Sequence, residues 1–399
     1  TADTQVFTKA ASRNADVYGF LCKWMRDMRD SQLDTTGSYP SVAPLAQYGN
    51  EGDRLGWADA GVIVPYTMWR RFGDPTIIKM NWASMKRFMA RLAETKHATQ
   101  PGSGQYADWL SYERFQPCNA PWGKNPPKEA FEYWNFLGAC YWLWDARMMA
   151  EMAAAIGETT DEKTFRNTAE TALAHIRRTY VMADGLLSTT FRDLQTACLF
   201  ALKLGLLEDA KATAQTRSIL LQNIRDHGDC LQTGFLGTSI LMDTLTYEAG
   251  AAEVAYTLLL QRKNPSWLYS VDQGATTIWE RWNSYVKATG FGPASMNSFN
   301  HYAYGAVLEW MYGTMAGIRD DAQTPGFKHF ILAPIPDTRV GNVTAEYDSA
   351  YGKIRSSWAY GENGRWTWTF TIPANTTAAV TLPGGETKTY AAGTYTVTR

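Results

Sequence analysis

In the stretch GATTIWERWNSY, residues 274–285, a carboxylate stands among indoles: Glu280 follows Trp279, with Arg281 beside it and Trp282 next. A carboxylate in that company is placed for proton transfer, and acid–base work on a sugar uses two carboxyl groups, one giving a proton and one taking it. Read alone, Glu280 is equally a structural acid paired with Arg281 or with a helix N-terminus. His301 adds weight, because it lies 21 residues on in MNSFNHYAYG, preceded by Asn297, Ser298 and Asn300. This polar cluster at the mouth of a helix makes His301 a candidate sugar contact, although a lone histidine is commonly structural.

Further acid–ring pairs follow the same pattern. NEGDRLGWADAG holds Asp53, Trp57 and Asp59, and YADWLSY holds Asp108 and Trp109. Asp59 reads either as the cap of a helix starting near Ala60 or as a binder of sugar hydroxyls, with Trp57 stacking on the ring. Asp53 reads as a partner of Arg54 or as a pocket residue. One acid–indole pair means little, but three in loops of one domain suit a saccharide, whose C–H faces stack on rings while its hydroxyls bond to acids. No nucleophilic-serine elbow, Walker loop or dinucleotide fingerprint occurs in a strand–helix context, which leaves carboxylate chemistry.

The elements that must position these residues are mostly helical. The 399 residues suffice for one large domain and a small one. From about residue 4 to 318 the apolar period is that of helices. QVFTKAASRNADVYGFLCKWMRDMRDSQ reads as one long helix. ADAGVIVPYTMWRRFGD and PTIIKMNWASMKRFMARLAETK read as an antiparallel pair, with Asp74 and Pro75 starting the second member. Similar segments continue to HYAYGAVLEWMYGTMAGI, about a dozen elements in all. No fixed repeat length appears, so paired helices predict a closed double ring, an (α/α)6 barrel, rather than a solenoid. In such a barrel the loops NEGDRLGWAD, GQYADWLSYERF and TTIWERWNSY would converge on one rim. After about residue 322 the pattern becomes that of strands: RWTWTFTI alternates rings with threonine, and GENGR reads as a hairpin turn. The expectation is mainly α: a barrel domain over residues 1–320 and a small antiparallel β-sandwich over 321–399. The sequons at Asn342 and Asn375 fall in the latter and read as chance matches.

Bulk composition limits the partners. A net charge of −1 without a basic stripe argues against nucleic acid. No apolar run approaches the roughly 18 residues of a membrane span. Five scattered cysteines, Cys22, Cys118, Cys140, Cys198 and Cys230, show no metal-ligand spacing and read as free thiols, so neither a metal nor a cofactor is expected. The chain opens on TADTQVFTKAASRNADVY, with no initiator Met or signal-peptide pattern and a helical period almost at once, which reads as the interior of a larger protein whose compartment is not legible.

Assembled, these segments resemble the bacterial α-L-rhamnosidases of glycoside hydrolase family 78. TADTQVF, KWMRDMRDSQ, GWADAGVIVPYTMWRRFGD, ADWL, TGFLGT, PSWLY, GATTIWERW and MNSFNHYAYGAVLEWMYGTMAGI match family segments in order over nearly the whole chain, and TTIWERW and SFNHYAYG are the specific ones. The resemblance implies an inverting glycosidase with an (α/α)6 barrel and a C-terminal β-sandwich, acting on rhamnose-containing glycosides or polysaccharides. It implies Glu280 as the general base that activates water, with Asp3 binding substrate and Trp57, Trp109, Trp282 and His301 shaping the rhamnose pocket. Trp279 and Arg281 flank the base in the same segment. An inverting pair of carboxyl groups stands about 6.5–9.5 Å apart, leaving room for a water. Rhamnose is a 6-deoxy sugar, so part of its pocket should be apolar.

The chain departs from the family at one point. The general acid of the resemblance is a Glu in a segment of the type ERLGW that immediately precedes the residues matching TADTQVF, so here it would fall upstream of Thr1, with N-terminal β-domains of the same protein. GDRLGW at Asp53 to Trp57 looks like that motif but aligns with the second acidic segment. Asp53 and Glu51 are therefore the minority candidates for the proton donor. Two alternatives stay open: another (α/α)6 glycosidase or polysaccharide lyase, and a sugar-binding fragment without catalysis.

Overall fold

A computed structural model describes residues 1–46, 52–99, 105–117, 125–362 and 364–399. Glu51 and Cys118 lie outside these residues. Among the described residues, helices predominate up to residue 315, in twelve α-helical segments. Helices α1 (Ala2–Asn14), α3 (Ala60–Phe72), α5 (Lys128–Ile156), α7 (Gln195–Leu204), α9 (Phe235–Asp243) and α12 (Val307–Trp310) touch one another in sequence, and α12 closes back on α1. That is the inner ring of an (α/α)6 barrel. Helices α2 (Tyr18–Asp30), α4 (Thr76–Thr95), α6 (Thr159–Tyr180), α8 (Ala210–Asp226) and α10 (Ala252–Leu260) pack outside it, and the short α11 (Trp267–Asp272) follows against α10.

Burial follows the two roles. The nine residues of α9 are nearly all buried, whereas α6 buries only Phe165, Ala169, Ala172, Ile176 and Tyr180 along one stripe, the pattern of a solvent-facing helix. Turns between the members of a pair are tight. Gly73, at φ +74°, ends α3 and donates its N–H to Trp69 O at 2.8 Å, and Asp74 Oδ1 then accepts the Thr76 N–H that opens α4.

One helical expectation is corrected. Residues 5–32 do not form a single helix: Ala15 is extended (φ −155°, ψ 159°), and Asp16 Oδ1 accepts the Tyr18 N–H at 3.1 Å, so a side-chain turn ends α1 and restarts the chain as α2. The last inner element is also subdivided, with a 3-10 turn at Ala303–Ala306 before α12 and a π-helical turn at Met311–Met315 after it. A two-strand hairpin, β1 (Tyr285–Val286) and β2 (Gly290–Phe291), follows the Glu280 loop.

The C-terminal part is a sandwich of two four-stranded sheets. One sheet orders β10 (Gly393–Thr398), β7 (Trp366–Ile372), β6 (Gly352–Tyr360) and β5 (Asn342–Ser349), all antiparallel. The other orders β3 (Ile318–Asp320), β4 (His329–Leu332), β8 (Thr377–Thr381) and β9 (Thr387–Tyr390), in which β4 and β8 run parallel, the exception to the antiparallel expectation. The first strand, β3, lies on the barrel side of the expected boundary at 320. In β7 the alternation is literal: Trp366, Trp368, Phe370 and Ile372 point inward, while Thr369 and Thr371 face Thr396 and Thr394 of β10, each pair of hydroxyls 3.0 Å apart.

Arginines of the inner helices fasten the sandwich to the barrel. Arg13 of α1 binds Glu309 at 3.0 Å and donates to Ile318 O at 2.9 Å, Arg70 of α3 binds Asp320 at 2.7 Å, and Arg71 bridges Glu309 and Asp320. Burial opposes charge here, but the surrounding guanidiniums hold Glu309 below the usual carboxylate range and bring Asp320 down to about 2.

Candidate functional site

The loop carrying Glu280 is tied to the loop before α12 by a reciprocal pair of bonds. The Glu280 N–H donates to Ser298 O at 2.9 Å, and the Ser298 N–H donates to Glu280 Oε2 at 2.7 Å. Oε1 has no hydrogen-bond partner among the described residues, and the residue is 9% exposed. The carboxylate is therefore gripped by one oxygen and offers the other. Two residues further the same ladder continues, with the His301 N–H donating to Ile278 O at 2.9 Å.

His301 and Asp3 meet beside this carboxylate, His301 Nε2 standing 3.1 Å from Asp3 Oδ1. Burial alone would lower the imidazole's proton affinity, but Asp3, and behind it the Glu280 charge, raise it above the ordinary value. Asp3 is correspondingly lowered: burial works against its charge, and the His301 side chain outweighs it.

The aromatic residues wall the same rim. Trp282 stacks on Tyr304 with ring centres 4.0 Å apart, meets Trp267 edge-on, and donates its indole N–H to Thr233 O at 3.0 Å. Trp279 packs edge-on against Phe299, and Arg281 donates to Asn283 Oδ1 and to Met296 O. Phe235 lies 5.2 Å from the His301 ring and 5.1 Å from that of Tyr304. On the adjoining wall Trp57, Tyr106 and Trp109 form a run, at 4.6 Å and then 5.2 Å. The three loops singled out by their acid–ring pattern thus border one rim.

The remaining acids hold that rim together. Asp108 is 1% exposed and accepts from Thr196 Oγ1 (2.6 Å), Gly234 N (2.8 Å) and Gly237 N (2.9 Å), so it clamps its loop to the start of α9. A Cβ on Gly237 would stand 2.9 Å from Asp108 Oδ2, which is why glycine occupies that position. Asp59 is fully buried. Although it sits at the N-cap of α3, its carboxylate makes no capping bond to the helix; it accepts from Gly56 N at 2.6 Å and faces His97 Nε2 at 3.0 Å. Asp53 does not pair with Arg54: Arg91 of α4 donates to its Oδ2 from Nε (3.0 Å) and Nη2 (2.7 Å). The other minority candidate, Glu51, lies outside the described residues.

Two buried acids had escaped the sequence reading. Glu113 accepts from Thr196 N (3.0 Å) and Tyr133 OH (3.1 Å), and burial together with the Asp108 charge pushes it up to about 8. Asp145 of α5 is fully buried, and burial plus the neighbouring Asp59 charge raises it well above the carboxylate range. Signals existed for both: Glu113 sits in SYERF, another acid–ring pair, and Asp145 is a lone acid in an apolar run of helix. Among the described residues no group of three or more His, Cys, Asp or Glu could hold a metal ion, and no helix is long and apolar enough to cross a membrane. Cys22, Cys140, Cys198 and Cys230 are free thiols.

Residues 1–315 match the bacterial alpha-L-rhamnosidase 6 hairpin glycosidase domain, and residues 317–396 match the bacterial alpha-L-rhamnosidase C-terminal domain. The chain belongs to the bacterial α-L-rhamnosidase family. Among its relatives, an α-L-rhamnosidase of Formosa agariphila is 35% identical over 384 residues, covering 96% of this chain and 39% of the relative. One from Streptomyces avermitilis is 33% identical over 385 residues, covering 96% of this chain and 34% of the relative. The crystal structure of a Streptomyces avermitilis α-L-rhamnosidase complexed with L-rhamnose superposes with a TM-score of 0.87 at 30% identity, over all of this chain and 38% of that one. Native α-L-rhamnosidase from Aspergillus terreus gives 0.88 at 25% identity, over 45% of its own length. This rhamnosidase-family chain therefore spans between a third and a half of the relatives it matches, and within that span it carries both the helical-hairpin and the C-terminal domain.

Proposed function

We propose that the whole protein to which this chain belongs hydrolyses terminal α-linked L-rhamnose from rhamnose-containing glycosides or polysaccharides by single displacement, with inversion at the anomeric carbon, and that this chain supplies the general base and the sugar pocket. Glu280 is the general base. The observation that carries this reading is the mounting of its carboxylate, with Oε2 fixed by the Ser298 N–H and Oε1 without a hydrogen-bond partner among the described residues. A group so held can accept a proton from water without turning away from it. Asp3 and His301 are the polar substrate contacts, kept charged by each other. Trp57, Trp109, Trp279 and Trp282, with Arg281 behind them, shape the pocket, whose apolar faces suit the 6-deoxy methyl group. Asp59 and Asp108 act through the rim's shape, since both are buried and bind neighbouring loop residues, Asp59 the Gly56 N–H and His97, Asp108 the Gly234 and Gly237 N–H groups.

The proton donor is assigned to a Glu upstream of Thr1 in the whole protein. Three acids of the described rim are already committed: Asp53 to Arg91, Asp59 to Gly56 and His97, Asp108 to three donors. Family membership supports the sugar, and the names of the relatives support the reaction. The test is proton NMR of the sugar released from 2,4-dinitrophenyl α-L-rhamnoside, whose leaving group needs no proton. β-L-rhamnose as the first-formed anomer supports the proposal; α-L-rhamnose first, or no release, overturns it.

A further inference from the structure

A second cavity, of about 240 Å³, lies within the inner ring and does not include Glu280, Asp3 or His301 among its lining residues. Its walls come from five inner helices, with Gln5 and Lys9 on α1, Tyr141 and Trp144 on α5, Lys203 on α7 and Asp243 on α9. Lys9 is six residues beyond Asp3, roughly 9 Å along a helix axis. The cavity therefore lies toward the end of the barrel where α1 and α3 meet the sandwich.

Its polar groups are unspent. The side chains of Lys9, Lys203 and Asp243 make no hydrogen bond or ion pair with any other described residue, although they surround one space. Lys203 stands over the Trp144 ring at 5.1 Å. Gln5, 6% exposed, leaves Oε1 buried without a partner, and its Nε2 reaches Tyr141 OH only at 3.4 Å. Buried polar groups are ordinarily paired, so a glutamine oxygen left over beside three unpaired charges marks a place built for a visitor. The charges attract without touching. Burial lowers Lys203 and Lys9 repels it, with Asp243 and Glu248 opposing; burial raises Asp243, with Lys9 and Lys203 opposing.

We propose that this cavity binds a small hydroxylated carboxylate of about one sugar unit, its carboxylate between Lys9 and Lys203 and its hydroxyls donating to Asp243 and to Gln5 Oε1. Two ammoniums against one lining carboxylate favour an anion over a neutral sugar. The two acceptors need donors, which an unprotonated inorganic anion such as sulfate or chloride lacks. The volume is below the several hundred Å³ of sites for larger ligands, which limits the guest to a single unit.

The test is calorimetric titration of the chain with D-glucuronate and D-gluconate, with acetate and L-rhamnose as controls. Saturable binding of either hydroxy acid, weakened about tenfold or more in Lys203→Met and in Asp243→Asn with 2,4-dinitrophenyl α-L-rhamnoside hydrolysis unchanged, supports the site. Lys9→Met, at an exposed position, gives the same readout should either of the other variants fail to fold. The proposal is overturned by the absence of saturable binding, by binding that these substitutions leave unchanged, or by acetate binding as tightly as the hydroxy acids.

Discussion

Asp3 Oδ1 lies 3.1 Å from His301 Nε2, joining the first turn of the first inner helix to the loop that leads into the last. The pair closes the ring at the rim, and it sets the charge of the imidazole next to Glu280. Burial by itself would lower His301, and it is Asp3 and Glu280 that lift it. A histidine raised in the folded state contributes stability that is fully present below its unfolded value near 6.5 and is lost as pH rises through the folded value. Asp3→Asn removes the larger of the two lifting charges. The expected outcome is a lower His301 titration midpoint in imidazole NMR and a fall of roughly tenfold or more in kcat/KM. An unmoved midpoint would show that the ion pair does not set the protonation of His301.

Asp108 separates a structural from a binding role. Asp108→Ala leaves Thr196 Oγ1, Gly234 N and Gly237 N without their acceptor in a buried setting. A loss of stability on the order of 3 kcal/mol is expected, read by chemical denaturation. A raised KM at unchanged stability would instead make Asp108 a substrate contact.

Glu113 gives a pH signature. In the folded chain it keeps its proton up to about 8, against an ordinary value of 4.5, because burial and the Asp108 charge disfavour the anion. Between these values the native state holds a proton that the unfolded chain has released, so stability falls as pH rises through that window. Glu113→Gln is expected to flatten this slope in denaturation curves measured from pH 5 to 8. A slope as steep as that of the parent chain would place its origin elsewhere.

At the junction the sign reverses. Asp320 is held down at about 2 between Arg70 and Arg71, below its ordinary 3.8. The pair contributes stability that is present above pH 3.8 and lost as pH falls toward 2, on the order of 2 kcal/mol. Asp320→Asn should destabilise the chain at neutral pH and lessen its further loss in acid. An acid limb identical to that of the parent would contradict this assignment.

Much of the architecture was legible because it is periodic. The alternation in RWTWTFTI predicts the inward rings of β7, and the paired apolar stripes predict a closed double ring of helices. The break at Ala15 escaped notice because it depends on one Asp16 side-chain bond within residues that otherwise suit a helix. Partnerships between distant residues were the other loss. Asp53 is adjacent to Arg54 in sequence, yet the left-handed turn at Asp53 (φ 61°) carries its carboxylate to Arg91. Asp59 reads as a cap until His97 and Asp145 are seen beside it. Acid–ring spacing picked out loops that the structure brings near one another, but it did not distinguish acids with free oxygens from those that hold the loops, such as Asp108.

The most direct measurement is the turnover of 2,4-dinitrophenyl α-L-rhamnoside by Glu280→Gln. The substitution keeps an oxygen for the Ser298 N–H and removes only the base, and this leaving group departs without a proton donor. A fall in kcat of about 10²–10⁴-fold with the fold intact is the predicted result. Turnover equal to that of the parent chain would contradict the assignment of Glu280 as the base.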